Sequence, residues 1–203
     1  MQADEHWRGV YRSKGASDLS WTQTSPRPSL EALERLGADP SLSLVDVGGG
    51  ASALVDALLD RGWSDLTVLD IAEPALAASC ERLGDRAGQV RWEVADIEQW
   101  QPGRAFDVWH DRAVFHFLTR AEARYGYKRA LREGTEPGSH VIVATFAPDG
   151  PEKCSGLPVR RYDAAALAAE LGTEFAPVAD WLETHVTPWG AEQQFQWCAF
   201  RRS

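Results

Sequence analysis

Four acids fall along this chain at the ends of stretches that read as strands: Asp46, Asp70, Asp96 and Asp111. The first lies in Leu44-Val45-Asp46-Val47-Gly48-Gly49-Gly50, an apolar run that breaks into three glycines and enters a helix at Ser52. Consecutive glycines bend the backbone sharply and let a ligand approach the main chain without meeting a Cβ. The N–H groups opening the next helix face the same space and favour negative charge. Asp46 opposes a pyrophosphate there, but it can accept hydrogen bonds from an ammonium group. Asp70 follows the turn by roughly twenty residues, the distance at which an acid bridges two ribose hydroxyls. Asp96, one strand further, can accept a hydrogen bond from an adenine amino group, and Ile71 and Ile97 supply apolar walls for the base. Together these positions describe a nucleoside with a cationic amino-acid tail. Each acid alone serves equally well as a helix cap; their common register carries the argument.

The elements that must position them alternate along the chain. Strands are expected over 42–47, 66–69, 90–94, 106–110 and 140–146, with helices over 29–36, 52–61, 73–83, 120–133 and 163–171. Continuous apolar strands such as 42–47 suit a parallel sheet covered on both faces. Two last strands, 178–186 and 194–201, are joined by a short Pro/Gly connection, which favours an antiparallel hairpin. The expected fold is α/β: a three-layer, doubly wound, mostly parallel sheet with a C-terminal antiparallel hairpin. In such sheets ligands bind beyond the carboxyl ends of the strands, where all four acids stand. Residues 1–28, polar, aromatic and broken by Pro26 and Pro28, read as an arm or lid. Residues 29–203 read as a single domain, the size expected of 203 residues.

Composition excludes several classes. A net charge of −9 argues against a nucleic-acid backbone or an anionic membrane surface as the main partner. No apolar run reaches the ~18 residues of a membrane span, and Asp4, Glu5 and His6 do not resemble a signal peptide. Three cysteines, far apart, give no disulfide framework. A cytoplasmic monomer or homodimer is expected.

The constellation resembles the class I S-adenosylmethionine-dependent methyltransferases, with their seven-strand Rossmann-like fold. The stretches that carry the resemblance are VDVGGGAS, VLDI, VADI, FDVWHDRAVFHFL and PGSHVIVATF, followed by a closing hairpin that ends in QFQWCAF. It covers roughly residues 29–203 and implies S-adenosyl-L-methionine as cofactor. It also implies that the arm SWTQTSPRPSL closes over the cofactor, with Trp21 touching it. The DRAVFHFL stretch is most similar to a subgroup of protein-lysine methyltransferases. A competing reading is the dinucleotide fingerprint, which Gly48-x-Gly50-x-x-Ala53 satisfies in its Ala variant, with Asp70 on the ribose of NAD. Asp46 beside a pyrophosphate, Asp96 without a role, and no second catalytic domain weigh against it. A relative that binds the cofactor without catalysis is the remaining alternative.

The implied chemistry is in-line transfer of a methyl group from a sulfonium, which asks mainly for positioning and for a base only if the nucleophile arrives protonated. Asp111, at the end of the fourth strand, is the candidate at the reacting centre, to bind the ammonium or orient the acceptor; a salt bridge to Arg112 or a helix cap is its bland reading. His116 is the candidate base, although a lone His on the apolar run 113–118 is more often a core group. Cys154, Arg160, Tyr162 and His185 are expected to shape the acceptor pocket, and no metal is assigned, although Cys154, His185 and Cys198 are a conceivable thiophilic set. The acceptor is expected to be a small molecule, or alternatively a basic protein segment.

Overall fold

The computed structural model describes residues 3–13, 20, 23 and 25–203. Its centre is a seven-stranded sheet. Strands β1 (Leu44–Val47), β2 (Leu66–Asp70), β3 (Val90–Val94), β4 (Val108–Arg112) and β5 (His140–Phe146) pair in parallel. Strands β8 (Phe175–Val186) and β9 (Glu192–Arg202) complete it in the order β3-β2-β1-β4-β5-β9-β8. Only β9 runs against the rest, because it is antiparallel to both β5 and β8. A two-stranded hairpin, β6 (Lys153–Cys154) with β7 (Leu157–Pro158), stands apart.

Every residue of β1, β2 and β5 is buried, as parallel strands covered on two faces require. Helices α5 (Ala121–Glu133) and α6 (Ala164–Leu171) cover one face, over a core that includes Val47, Trp109, Tyr127, Val143, Leu167 and Phe200. Helices α2 (Arg27–Arg35), α3 (Leu54–Asp60) and α4 (Glu73–Leu83) cover the other, with Leu30, Leu33, Leu58, Leu76, Ile142 and Trp197. The result is the expected three-layer α/β architecture. The strand order reverses at β1, which lies between β2 and β4, and opens a crevice at the carboxyl ends. No helix among the described residues is long and apolar enough to cross a membrane.

Three departures from the sequence reading bear on the site. The first 28 residues hold helix α1 (Ala3–Ser13), which packs against α4. Its Trp7, Val10 and Tyr11 recur at the spacing of one helix face, and Asp4, Glu5 and Arg12 complement its dipole at either end. The 147–159 stretch, which holds none of the strands or helices expected from sequence, folds the β6–β7 hairpin around Ser155 and Gly156. Both carry positive φ, +49° and +80°, the signature of a tight type I′ turn. Finally, β4 begins two residues later than expected and continues through Arg112.

Candidate active site

A cavity of about 180 Å³ opens at the carboxyl ends of β1 to β4. It is lined by Leu69, Asp70 and Ile71 at the end of β2, Ala95, Asp96, Ile97 and Glu98 after β3, Arg112, Ala113, Val114 and Phe117 at and after the end of β4, and Gly48, Cys154 and Leu157. Helix α1 contributes Trp7 and Tyr11. Trp7 meets Phe117 edge to face at a centroid distance of 4.9 Å, which fixes this wall against the turn after β4. Of the sequence candidates, Gly48, Asp70, Ile71, Asp96, Ile97 and Cys154 therefore lie on one cavity.

Asp70 ends β2, and its Oδ1 accepts from the Ala72 backbone N–H at 2.8 Å. Burial raises its carboxyl to about 7, and the nearby charge of Asp46 adds to the effect against the N–H bonds that oppose it. Asp96 Oδ1 accepts from the Glu98 N–H at 2.9 Å. The glycine turn fits between these groups with no room to spare. A Cβ on Gly50 would stand 2.6 Å from Asp70 Oδ2, and one on Gly49 would stand 2.5 Å from Asp46 Oδ2.

Gly49 and Gly50 are thus turn residues packed on carboxylates, and neither lines the cavity. Asp46 does not line it either. Its Oδ1 accepts from His110 Nδ1 at 2.7 Å, and His110 Nε2 meets Ser29 Oγ at 3.0 Å, so β1, β4 and α2 are tied together beneath the turn. All three residues are buried. The expectation that Asp46 faces an ammonium gives way to a structural pairing, because its register partner on β4 is His110.

Asp111 is likewise turned away from the cavity. It is fully buried and accepts from the N–H groups of Val114 at 2.9 Å and Phe115 at 3.1 Å, which caps the single helical turn 115–117. Tyr127 donates to it and accepts from Trp109 Nε1 at 2.9 Å. Burial raises Asp111 to about 7 against these bonds. The reason lies in strand alternation: with β4 running to Arg112, residues 109 and 111 face α5, while 110 and 112 face the other side. Asp111 and Arg112 therefore cannot pair, and Arg112 is the residue that reaches the cavity.

His116 is buried among Phe117, Phe146 and Phe195, and does not line the cavity. Its Nδ1 accepts from the Phe146 N–H at 3.2 Å, and its Nε2 has no partner among the described residues. Burial, then the charge of Arg112, lowers it to about 3, so it is a neutral core imidazole.

The acceptor-pocket candidates divide. Cys154 lines the cavity; burial pushes its thiol up to about 11. His185 lies outside the lining, with its Nε2 at 2.6 Å from the Ser20 carbonyl oxygen. Arg160 pairs with Glu170 at 3.3 Å and stacks over Tyr162, which is buried in the core beneath α6. The chain crosses to that face to begin α6, and carries both residues with it. Cys154 and Cys198 belong to the cores on opposite faces of the sheet, and no group of metal-ligating side chains assembles among the described residues. Trp21 lies outside the described residues. Sequence reasoning missed Trp7, Tyr11, Phe117, Leu157 and Arg112. The 7/10/11 spacing marks α1, and the Ser-Gly pair at 155–156 marks the hairpin that brings Leu157 to the cavity. Ala113, with a φ of +73°, is a strained backbone position on the cavity wall.

Comparison with known proteins gives this geometry a context. Residues 45–140 match the family described as "Methyltransferase domain". The chain is 32% identical over 148 residues to a phytoene dehydrogenase of Streptomyces griseus, covering 68% of this chain and 29% of that protein. It is 25% identical over 142 residues to the eEF1A lysine and N-terminal methyltransferase of Mus musculus, covering 68% of this chain and 20% of that protein. The chain thus spans less than a third of the length of these curated relatives. Among solved structures it is similar to the 1,6-didemethyltoxoflavin-N1-methyltransferase of Burkholderia thailandensis, bound to 1,6-didemethyltoxoflavin and S-adenosylhomocysteine. The TM-score is 0.70 at 20% identity, covering 100% of this chain and 92% of that one.

Proposed function

We propose that this chain is a class I S-adenosylmethionine-dependent methyltransferase, with the seven-strand Rossmann-like sheet of that class, and that it methylates a small molecule held in its cavity near Arg112. The observation that carries this reading is one cavity lined both by acids and apolar walls suited to a nucleoside and by Trp7, Phe117, Cys154 and Leu157. The toxoflavin-precursor methyltransferase, similar in fold over the whole chain, acts on a compound of that scale by its name.

S-Adenosyl-L-methionine supplies, when bound, an electrophilic methyl group on a sulfonium. The residues present fit it. Asp70 ends β2 at the cavity with Oδ2 beside Gly50, in position to accept from a vicinal diol. Ile71, Ile97, Leu69 and Ala95 give the apolar walls a purine needs, and Asp96 gives an acceptor for its amino group. Gly48 brings bare backbone to the cavity where a side chain would collide with Val114. Trp7 and Tyr11 close the same space from α1.

With Asp111 and His116 both locked into the core, the chain's own contribution is placement. The lining residues would hold donor and acceptor close together, and such positioning is the effect that dominates bimolecular transfer. Calorimetric titration with S-adenosylhomocysteine against NAD tests the cofactor end. Incubating the enzyme with cell lysate and methyl-labelled cofactor tests the acceptor: label in the low-molecular-weight fraction supports a small molecule, and label confined to protein supports the lysine reading that the mouse relative suggests.

A further inference from the structure

Strand β8 is an edge of the sheet. It pairs with β9, and no strand among the described residues covers its other side. The pairing with β9 is regular from Ala179 to Val186 and breaks at a bulge between Pro177 and Ala179. Two backbone hydrogen bonds tell which way the main-chain groups of β8 point. The Thr187 N–H donates to the Ala191 carbonyl oxygen, and the Ala147 N–H donates to that of Gln194. Opposed residues of an antiparallel pair alternate between those that exchange both bonds and those that exchange none. Ala179, Trp181, Glu183 and His185 therefore spend their main-chain groups on β9, whereas Asp180, Leu182, Thr184 and Val186 turn theirs outward.

The side chains along this edge are also unusual. Six large hydrophobic residues stand exposed among those described, and four belong to this hairpin: Val178, Leu182 and Val186 on β8, and Trp189 in the turn beyond it. The first three recur at every fourth residue, with exposures of 54%, 63% and 56%. Edge strands are commonly blunted by lysine or proline. The stretch 178–186 has neither, so open backbone and an apolar row together form a template for a further strand.

We propose that β8 pairs antiparallel with β8 of a second copy of this chain, about a two-fold axis at Leu182, so that two sheets become one. The self-complementarity of the strand selects this occupant and this register. Outward-bonding residues must oppose outward-bonding residues, which places the axis on a residue and not between two. An axis at Trp181 sets Leu182 against Asp180 of the partner subunit. An axis at Glu183 sets that acid against its own copy. An axis at Thr184 leaves Val178 and Asp180 with no strand opposite, because β8 ends at Val186. With the axis at Leu182, Leu182 meets Leu182 of the partner subunit, Val178 meets the partner's Val186, and Asp180 meets the partner's Thr184. No acid then opposes an acid, which decides between registers in a chain of net charge −9. The bulge at Pro177/Ala179 marks one end of the pairing and Val186 the other. None of these residues lines the cavity, so the interface is independent of the methyltransferase reading.

The test is sedimentation velocity on the full chain over roughly 1–100 µM. The wild type should show a monomer–dimer equilibrium within that range. Leu182→Lys sets two like charges face to face and should weaken association at least about tenfold, and Leu182→Glu should do the same. An equimolar mixture of the two variants should recover association to within about threefold of the wild type, because each heterodimer holds opposite charges on its axis. Residue 182 is well exposed, and the mixture serves as a control, since misfolded variants would not rescue one another. A wild type that stays monomeric throughout, a dimer unmoved by either charge, or a mixture no better than its components would each overturn the proposal. Affinity for S-adenosylhomocysteine should be alike in all three proteins. Its absence from the wild type would sink the methyltransferase reading and leave this one standing.

Discussion

If Asp70 holds the ribose of the cofactor, cofactor binding must depend on pH in a calculable way. Its carboxyl is buried and raised to about 7 by burial and the charge of Asp46. Because the folded value lies above that of the unfolded chain, the acid is neutral in most molecules at pH 6 and ionised in most at pH 8. A diol donates two hydrogen bonds, and only the ionised form accepts both without surrendering a proton. Affinity for S-adenosylhomocysteine should therefore rise by about tenfold from pH 6 to pH 8 and flatten above, the linkage expected of one proton released on binding. Calorimetry in two buffers of different ionisation enthalpy would count that proton directly. Asp70→Asn should bind roughly 10–100-fold more weakly at pH 8, the loss of a charge-assisted hydrogen bond or two, with no dependence on pH. Asp46→Asn should shift the wild-type midpoint downward. The same burial has a converse in stability: Asp70 favours the ligand-free fold most at low pH, and that contribution is lost as pH rises through about 7. Asp70→Asn should accordingly unfold at a higher temperature than the wild type at pH 8. A wild type whose affinity is flat between pH 6 and 8, or an Asp70→Asn variant that keeps the wild-type slope, would refute the assignment.

Other outcomes follow from the packing. Gly49→Ala places a Cβ 2.5 Å from Asp46 Oδ2 and 2.7 Å from Val68 Cγ1, and should destabilise the fold by about 1–3 kcal/mol in denaturant titration. Tyr127→Phe removes a buried link between Trp109 and Asp111, three residues that lie outside the cavity lining. It should cost about 1–3 kcal/mol of stability while leaving affinity for S-adenosylhomocysteine within about twofold, and a large affinity loss would return Asp111 to the site. His116, lowered to about 3 in the fold, favours the native state at neutral pH, and this stability is lost as pH falls from its unfolded value towards 3. His116→Gln, which keeps an acceptor for the Phe146 N–H, should move the acid-unfolding midpoint to lower pH.

What sequence could and could not convey is clearest in β4. Glycines, acids and apolar runs located every sheet strand except the small hairpin, and the strands over 90–94 and 140–146 match residue for residue. Placing the fourth strand at 106–110 instead of 108–112 was a small error in extent, yet it left residues 111 and 112 outside the pleat. Without the alternation, Asp111 looked like the reactive group, with a salt bridge to Arg112 or a helix cap as its bland reading. The true register buries the acid under a turn and sends the cation to the cavity. Asp46 failed for a related reason: its partner, His110, is 64 positions away and is set beside it only by β1–β4 pairing. Helix α1 was hidden by the expectation that a polar, aromatic segment ahead of two prolines is irregular. Asp70, Asp96 and their following isoleucines were legible because each needs only its own strand end.

The odd-and-even arrangement at the close of β4 also limits how this protein can change. Lengthening or shortening the chain by one residue between Val108 and Asp111 would swap the two ionic groups across the sheet. The carboxyl would then face the cavity, and a guanidinium would be driven in among Phe115, Tyr127 and Tyr162. Substitutions along this stretch are open to selection, but single-residue insertions or deletions there should abolish folding before they alter specificity.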